Sequence, residues 1–413
     1  MQPMGDVDLV IVGGGIGGSA LAVVMARDGY SCLVLERTNE FPDRTRGEWL
    51  AAWGVFEARR LGVEDTLRSA RGHVIKRHIT YEPEVAPEES EANCLDLSAL
   101  TPGVAGPMTQ RHPDACQALF DAAASAGATC LRGVEDVRLD RSADCPCIAF
   151  THEGARRTVR ARLVVGADGR QSVIRRQCSL DVHTDVPHHL FSGLLVDDAP
   201  DFPEDLQVIG TTNDAHYLAF PQGGGRVRLY LGFSFDDRHR YTGEQGARQF
   251  LDAFDTPALP YASAIVGSTP VSPHAVYANE DGWVDTAAVE GVVLIGDAAG
   301  WNDPIIGQGL SITLRDVRIV TELLRESSDW SLAALKPYAE ERRERMRRLR
   351  FSARVSSVLN NEFGPDAIAR RIRARARLRE NPVLGLVSAV AFIGPEHAPE
   401  SVFTDATFEQ ILA

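Results

Sequence analysis

Apolar runs that stop at glycine set the rhythm of this chain. Val7-Asp8-Leu9-Val10-Ile11-Val12 runs into Gly13-Gly14-Gly15-Ile16-Gly17-Gly18, and the next apolar run, Ser31-Cys32-Leu33-Val34-Leu35, stops at Glu36. The pattern predicts strand, glycine turn, helix and strand in that order. Two later runs end the same way. One is Leu163-Val164-Val165-Gly166-Ala167-Asp168-Gly169. The other is Val292-Val293-Leu294-Ile295-Gly296-Asp297-Ala298-Ala299-Gly300, followed by Pro304-Ile305-Ile306-Gly307-Gln308-Gly309-Leu310 and a helix expected to reach about Arg325. Gln110-Arg111-His112-Pro113 starts another helix, expected from Asp114 to Ala126.

Between these runs the period changes. Val74–Tyr81, Leu206–Thr212, Ala215–Phe220 and Val227–Phe233 show partial alternation and strand-forming residues, and Gln222-Gly223-Gly224-Gly225 reads as a hairpin turn. Together they predict an antiparallel sheet. Glu82–Glu91, with Pro83, Pro87 and a run of glutamates, reads as an exposed loop. From Ala333 onward long charged helices dominate, broken near Gly364-Pro365 and Asn381-Pro382.

Charge refines this picture. A length of 413 residues is enough for a full core, and the net charge of −14 argues against general nucleic-acid affinity. Arginines nevertheless crowd two late stretches, Arg342 to Arg350 and Arg370 to Arg379. Such tracts suit nucleic acid or a membrane surface, but the preferred reading is a solvated helix with i,i+4 partners such as Glu340 and Glu344. The first strand begins too early to leave room for a signal peptide, and Val383–Ile393 is too short to span a bilayer, so no stable membrane insertion is expected. Seven scattered cysteines, with Cys145-Pro146-Cys147 lacking zinc-ligand spacing, read as free thiols of a cytoplasmic protein without a metal.

The first motif carries chemistry because of its flanks. Gly13 permits a tight turn, Gly15 lets the backbone approach a pyrophosphate, and Gly18 allows close helix–strand packing. Ile16 opens a helix whose N-terminus faces the phosphates, and Glu36, with Arg37 beside it, ends the second strand where a ribose is held. Asp-Gly and Gly-Asp also favour ordinary β-turns, so the Asp168 and Asp297 motifs are ambiguous when read singly.

Read together, the three motifs resemble the flavoprotein monooxygenases of the p-hydroxybenzoate hydroxylase type over about the first 330 residues. That resemblance implies an α/β fold: a Rossmann-like FAD-binding domain of the glutathione-reductase type (1–73, 102–180 and 280–330). An antiparallel-sheet substrate domain (74–101 and 181–279) interleaves with it, and a helical C-terminal segment (331–413) follows. It places Asp168 near the pyrophosphate, Asp297 on the ribityl chain, and Pro304, Gly307, Gly309 and Leu310 against the isoalloxazine. It also implies cofactor contacts for Arg46, for Arg111 near its helix N-terminus, and for the Val134 backbone at adenine. Their ordinary readings are a surface arginine at a helix start and an Arg111–Asp114 pair.

The activity implied is insertion of one oxygen atom from O2 into a small, aromatic substrate. NADH or NADPH supplies electrons, and a C4a-hydroperoxyflavin is the oxidant. No second nucleotide fold is visible, which fits transient nicotinamide binding. Such chemistry asks the protein to bind, orient and exclude water. His188, His189, His216 and Tyr217 could serve a phenolic substrate as base, but none is assigned as catalytic. Trp49, Trp53 and Phe56 are expected on one helical face, as cavity wall or as core.

Flavin-dependent halogenases share the scaffold and use a lysine in a stretch comparable to that of Lys76, after the Gly47-Glu48 pair. Their Trp-x-Trp-x-Ile-Pro signature is replaced here by His216-Tyr217-Leu218-Ala219-Phe220-Pro221. Halogenation is therefore the runner-up. An isoprenoid double-bond reductase and a non-catalytic FAD-binding partner protein stand behind it.

Overall fold

The computed structural model describes residues 2–43, 45, 47–142 and 145–413. β1 (Val7–Val12), α1 (Ile16–Arg27) and β2 (Cys32–Leu35) form where the apolar runs predict them. After α2 (Ala52–Arg60) the chain makes one excursion through β3 (Arg77–Tyr81) and returns by α3 (His112–Ser125) to β4 (Thr129–Leu131). A ribbon of β5 (Glu135–Asp140) and β6 (Cys147–His152) leads into the long β7 (Ala155–Gly166). A second, longer excursion carries β8 (His189–Asp197), β9 (Leu206–Thr211), β10 (His216–Gly223), β11 (Arg226–Ser234) and β12 (Ala275–Asn279). The chain comes back in β13 (Val292–Leu294) and α4 (Gly309–Glu326). The tail is α5 (Leu332–Asn361), α6 (Pro365–Glu380), α7 (Pro382–Ile393) and α8 (Asp405–Leu412).

The first sheet runs β4–β2–β1–β7–β13, and these neighbours are all parallel. Its register explains why motifs far apart in sequence meet. Val12 pairs with Leu35 and Gly166, and Gly166 pairs with Leu294, so three strands of the motifs end at one edge of the sheet. Ligands of such sheets bind beyond the carboxyl ends of the strands. α1 is apolar nearly all round because it is covered by the sheet and by α3 and α4; Ala20 to Met25 are all buried.

The second sheet runs β12–β8–β11–β10–β9–β3, antiparallel except for the parallel β9–β3 pair. Alternation along β10 divides its two faces. Tyr217 and Ala219 join a core with Phe254 on one side, whereas Leu218 and Phe220 pack with Phe191, Ile305 and the tail residues Leu349 and Val387 on the other. This second face overlies the carboxyl edge of the first sheet.

Three stretches differ from the sequence reading. Glu82–Glu91 is not an exposed loop: Glu82 is buried and paired with Arg375, and Pro87–Ala92 is a short helix. Pro87 in its first turn, with Glu88 and Glu89, suits a helix start. Trp49 lies on a two-residue strand with Leu50, paired to Met108-Thr109, so it shares no helical face with Trp53. Trp53 is core, and Phe56 is 38% exposed. The arginines of α5 are the third case. Arg342 and Arg345 are buried, not solvated, although pairs such as Lys336–Glu340 do occur on the outer side. Among the described residues no helix is long and apolar enough to cross a membrane.

Candidate functional site

The glycine turn between β1 and α1 is built as its residue types require. Gly13 has φ +106, and a Cβ there would overlap the Ala167 carbonyl; one on Gly18 would overlap the Gly13 carbonyl, so helix and strand touch backbone to backbone. Gly15 is different. It is the N-cap of α1 with no side-chain cap, and a Cβ there would meet nothing within 4 Å. The unsatisfied N–H groups of the first turn therefore open onto a cleft lined by Gly13, Gly15 and Ile16. Glu36 sits at its side. Its Oε2 accepts the Gly14 N–H at 2.8 Å, and its Oε1 accepts the Thr38 N–H and hydroxyl at 2.8 and 2.7 Å. Arg37 and Val134 line the same end, and the Val134 N–H donates to the Glu36 carbonyl at 3.0 Å.

Asp168 and Asp297 continue the cleft along the sheet edge. The Asp168 Oδ2 accepts the Val173 N–H at 2.6 Å in the first turn of a short helix whose N-cap is Ser172, while its Oδ1 is buried with no hydrogen-bond partner among the described residues. Burial raises its pKa against those hydrogen bonds. Asp297 is 38% exposed at the side chain and accepts from Arg170 Nε at 3.3 Å. Pro304, Gly307, Gly309 and Leu310 form the next stretch of wall. Asp303 Oδ1 accepts the Ile305 N–H at 2.9 Å, Gly307 turns through the left-handed region at φ +67, and a Cβ on Gly309 would meet nothing within 4 Å.

Three of the expected cofactor residues stand apart. Gly18 packs beneath the turn without lining the cleft. Arg111 is outside the lining and lies 3.5 Å from Asp114, the ordinary reading of that residue. Arg46 falls outside the described residues.

The turn bearing Asp297 is held by the tail. Arg342, on α5, donates to the carbonyls of Ala299 at 2.6 Å and of Gly296 and Gly300 at 3.0 Å each, and to Asp316 Oδ2 at 3.0 Å. Asp316, fully buried on α4, also accepts the Gly296 N–H at 2.8 Å and Arg345 at 2.6 Å. The Tyr338 hydroxyl donates to the Leu294 carbonyl at 2.7 Å. A guanidinium serves four acceptors around one turn here, which its fixed fork of five donors allows.

Beyond Gly307 the cleft widens beneath the second sheet into a chamber, and the whole cavity measures about 930 Å³. Trp49, Phe191, Phe220, Tyr230 and Tyr277 supply aromatic walls. A hydrogen-bond chain runs along one of them. Trp49 Nε1–H can only donate, and it meets Gln207 Oε1 at 2.8 Å; the Gln207 amide nitrogen therefore donates to His78 Nδ1 at 3.1 Å. The proton of His78 is thereby set on Nε2, 3.2 Å from the Thr80 hydroxyl.

Burial lowers the pKa of His78 to about 4, and that of His216, with a contribution from Arg371, to about 3. Both are uncharged near neutral pH and are weak bases there. Of the sequence candidates for a base, only His216 lines the chamber. His189 is buried behind it on Asn279 and Ser357, His188 is exposed, and Tyr217 faces the other core. His78 was missed, although the alternation of β3 puts it on the face opposite Ile79 and Tyr81.

Lys76, the lysine of the halogenase comparison, is exposed, its backbone is engaged by Asp205 and Leu97, and it is not among the lining residues.

A family model described as the FAD binding domain matches residues 6–353, and the chain belongs to that family. Among curated relatives, 3-hydroxybenzoate 6-hydroxylase of Polaromonas naphthalenivorans is 23% identical, covering 91% of this chain and 93% of its own. Squalene monooxygenase of Mus musculus is 25% identical over 78% of this chain; the match spans only 56% of that relative's length. Among solved structures, p-nitrophenol 4-monooxygenase from Pseudomonas putida superposes with a TM-score of 0.75 at 17% identity, covering 100% and 99% of the two chains. A flavin-dependent halogenase reaches 0.74 at 17% identity, covering 98% and 76%. At such identities these two structures speak for the fold alone. The chain is thus a member of an FAD-binding family, with an aromatic hydroxylase among its relatives.

Proposed function

We propose that this flavoprotein is an NADH- or NADPH-dependent hydroxylase that inserts one oxygen atom of O2 into a small, aromatic substrate. The observation that carries the reading is the continuity of one cavity, from the open N-terminus of α1 through Asp297 and the Pro304–Gly309 wall to the aromatic chamber. FAD fits the donor set: the bare N–H groups at Gly15 would hold its phosphates, Glu36 its adenosine ribose and Asp297 its ribityl chain. When bound, FAD accepts the nicotinamide hydride and activates O2. The chain's own residues bind the cofactor, orient the substrate and exclude water from the chamber. Anaerobic reduction of the bound flavin by each nicotinamide, followed by an O2 pulse with phenolic compounds, tests it. Flavin that no nicotinamide reduces, or reduction without any oxygenated product, would count against the reading.

Glu36→Ala and Asp297→Ala are each expected to weaken FAD binding by roughly ten- to a hundredfold, since a lost charged hydrogen-bond acceptor costs about 1.5–3 kcal/mol. Flavin titrations monitored by fluorescence check this, and unaltered affinity in both variants would contradict the placement.

Halogenation is the second reading, and the position of Lys76 weighs against it. A lysine that handles an oxidised halide has to face the chamber, and this one faces solvent. Lys76→Ala is expected to keep FAD, nicotinamide oxidation and oxygen insertion, with less than about a tenfold loss in rate, or 1.4 kcal/mol of barrier. Mass spectrometry of products formed in bromide buffer is the check. A brominated product that vanishes in the variant would reverse the order of the two readings.

A further inference from the structure

The chamber's last wall comes from the tail. Ser356 and Asn360 on α5, and Ser388, Ala391 and Phe392 on α7, line it, and all of them lie past residue 353, where the family match ends. α7 is fixed to the flavin-facing turn: Gln308, whose Oε1 accepts from Trp53 Nε1 at 2.9 Å, donates through Nε2 to the Ala391 carbonyl at 3.0 Å. This brings the Phe392 ring to 6.2 Å from Trp49, edge to face, and 5.3 Å from His78.

The charges around the cavity are segregated. Among the described lining residues the arginines are Arg37 and Arg170, both at the dinucleotide end. Arg228, on the chamber face of the sheet opposite Phe220, does not reach the cavity and is spent on Glu48 and Asp43; Glu48, which does line the cavity, is held in turn by that arginine and the Tyr230 hydroxyl. Besides the arginine-paired Glu48, what the described residues offer in the chamber is aromatic surface and uncharged polar groups: the Gln207–His78 chain on the sheet, and the Ser356 hydroxyl and Asn360 amide one helical turn apart on α5. The relative named for 3-hydroxybenzoate acts on a ring bearing a carboxylate. Among the described residues no lysine or arginine lines this chamber, so none of them would pair a carboxylate that was stripped of water there.

We infer that the substrate is an uncharged ring compound, clasped between the second sheet and Phe392 of the tail, with its polar substituent on Ser356 and Asn360. The inference rests on the hydroxylase reading only for which end of the cavity takes substrate. α7 then acts as the specificity wall of the site, and Phe392 sets its reach.

Two probes that differ by one carboxylate test it: 1-naphthol and 1-hydroxy-2-naphthoate, each titrated into the FAD-loaded full-length protein and followed by the perturbed flavin absorbance. 1-Naphthol is expected to bind at least thirtyfold more tightly. Phe392→Ala is expected to weaken it at least tenfold and Asn360→Ala at least threefold, with the flavin spectrum of the unliganded protein unchanged. Phe392→Leu replaces Phe392→Ala if the latter loses its flavin. Equal or tighter binding of the carboxylate, binding of neither probe, or indifference to both tail substitutions would each overturn the inference. The readout needs no turnover, so failure of a nicotinamide to reduce the flavin would remove the hydroxylase reading and leave this result standing.

Discussion

Gly15→Val is expected to give a folded protein that no longer holds FAD. The site has room for a side chain, since a Cβ on Gly15 would meet nothing within 4 Å, and its φ of −72 is one that valine adopts. The isopropyl group would project over the open first turn of α1, where the phosphates belong. A pyrophosphate pushed outward loses two or more charge-assisted hydrogen bonds of about 1.5–3 kcal/mol each, so affinity should fall about a thousandfold or more. Gly13→Val makes the contrast. There φ is +106 and the new Cβ would overlap the Ala167 carbonyl, so that variant should fail in folding. Flavin titration together with thermal unfolding of the apoprotein separates the two. A Gly15→Val protein that binds FAD like the parent would mean that the phosphates do not lie at this turn.

How much of this was legible in the sequence depends on the kind of signal each residue gives. The glycine turns were legible because a positive φ or a backbone contact tolerates few residues, and the apolar run before each turn fixed its place in the sheet. The convergence of Gly13, Asp168 and Asp297 was what the family resemblance implied, and in the structure the parallel register of their strands brings it about. Trp49 was misplaced because the periods of strand and helix cannot be told apart over two residues, and its pairing partner, Thr109, lies far along the chain. The arginines of α5 were misread for a physical reason. An i,i+4 pattern of Arg and Glu looks the same whether the helix faces water or a ring of carbonyls. What decides is Asp316, fully buried on α4, which no local pattern of α5 contains. The chamber was the least legible part, since its lining comes in ones, twos and threes from β3, β8 to β12, α5 and α7.

That buried ring sets the other large expected effect. Arg342→Met keeps most of the side chain's length and removes every donor. The carbonyls of Gly296, Ala299 and Gly300 lose their partner, and Asp316 keeps only Arg345 and the Gly296 N–H. Breaking a buried ion pair from one side costs about 3–5 kcal/mol, because the remaining charge stays desolvated. The melting temperature should therefore drop by roughly 3–6 °C. The same loss loosens the turn that carries Asp297, so FAD affinity should fall at least about tenfold even where the variant is fully folded. Arg342→Lys should recover less than half of the stability, since one ammonium cannot reach a carboxylate and three carbonyls spread around a turn. Glu340→Ala, on the outer side of the same helix, should stay within about 0.5 kcal/mol of the parent. Calorimetry of the apoprotein and flavin titration of the folded variants measure the two effects separately. An Arg342→Met protein that melts lower yet binds FAD as the parent does would confine this arginine to stability. One unchanged in both would mean that the tail does not hold the cofactor turn at all.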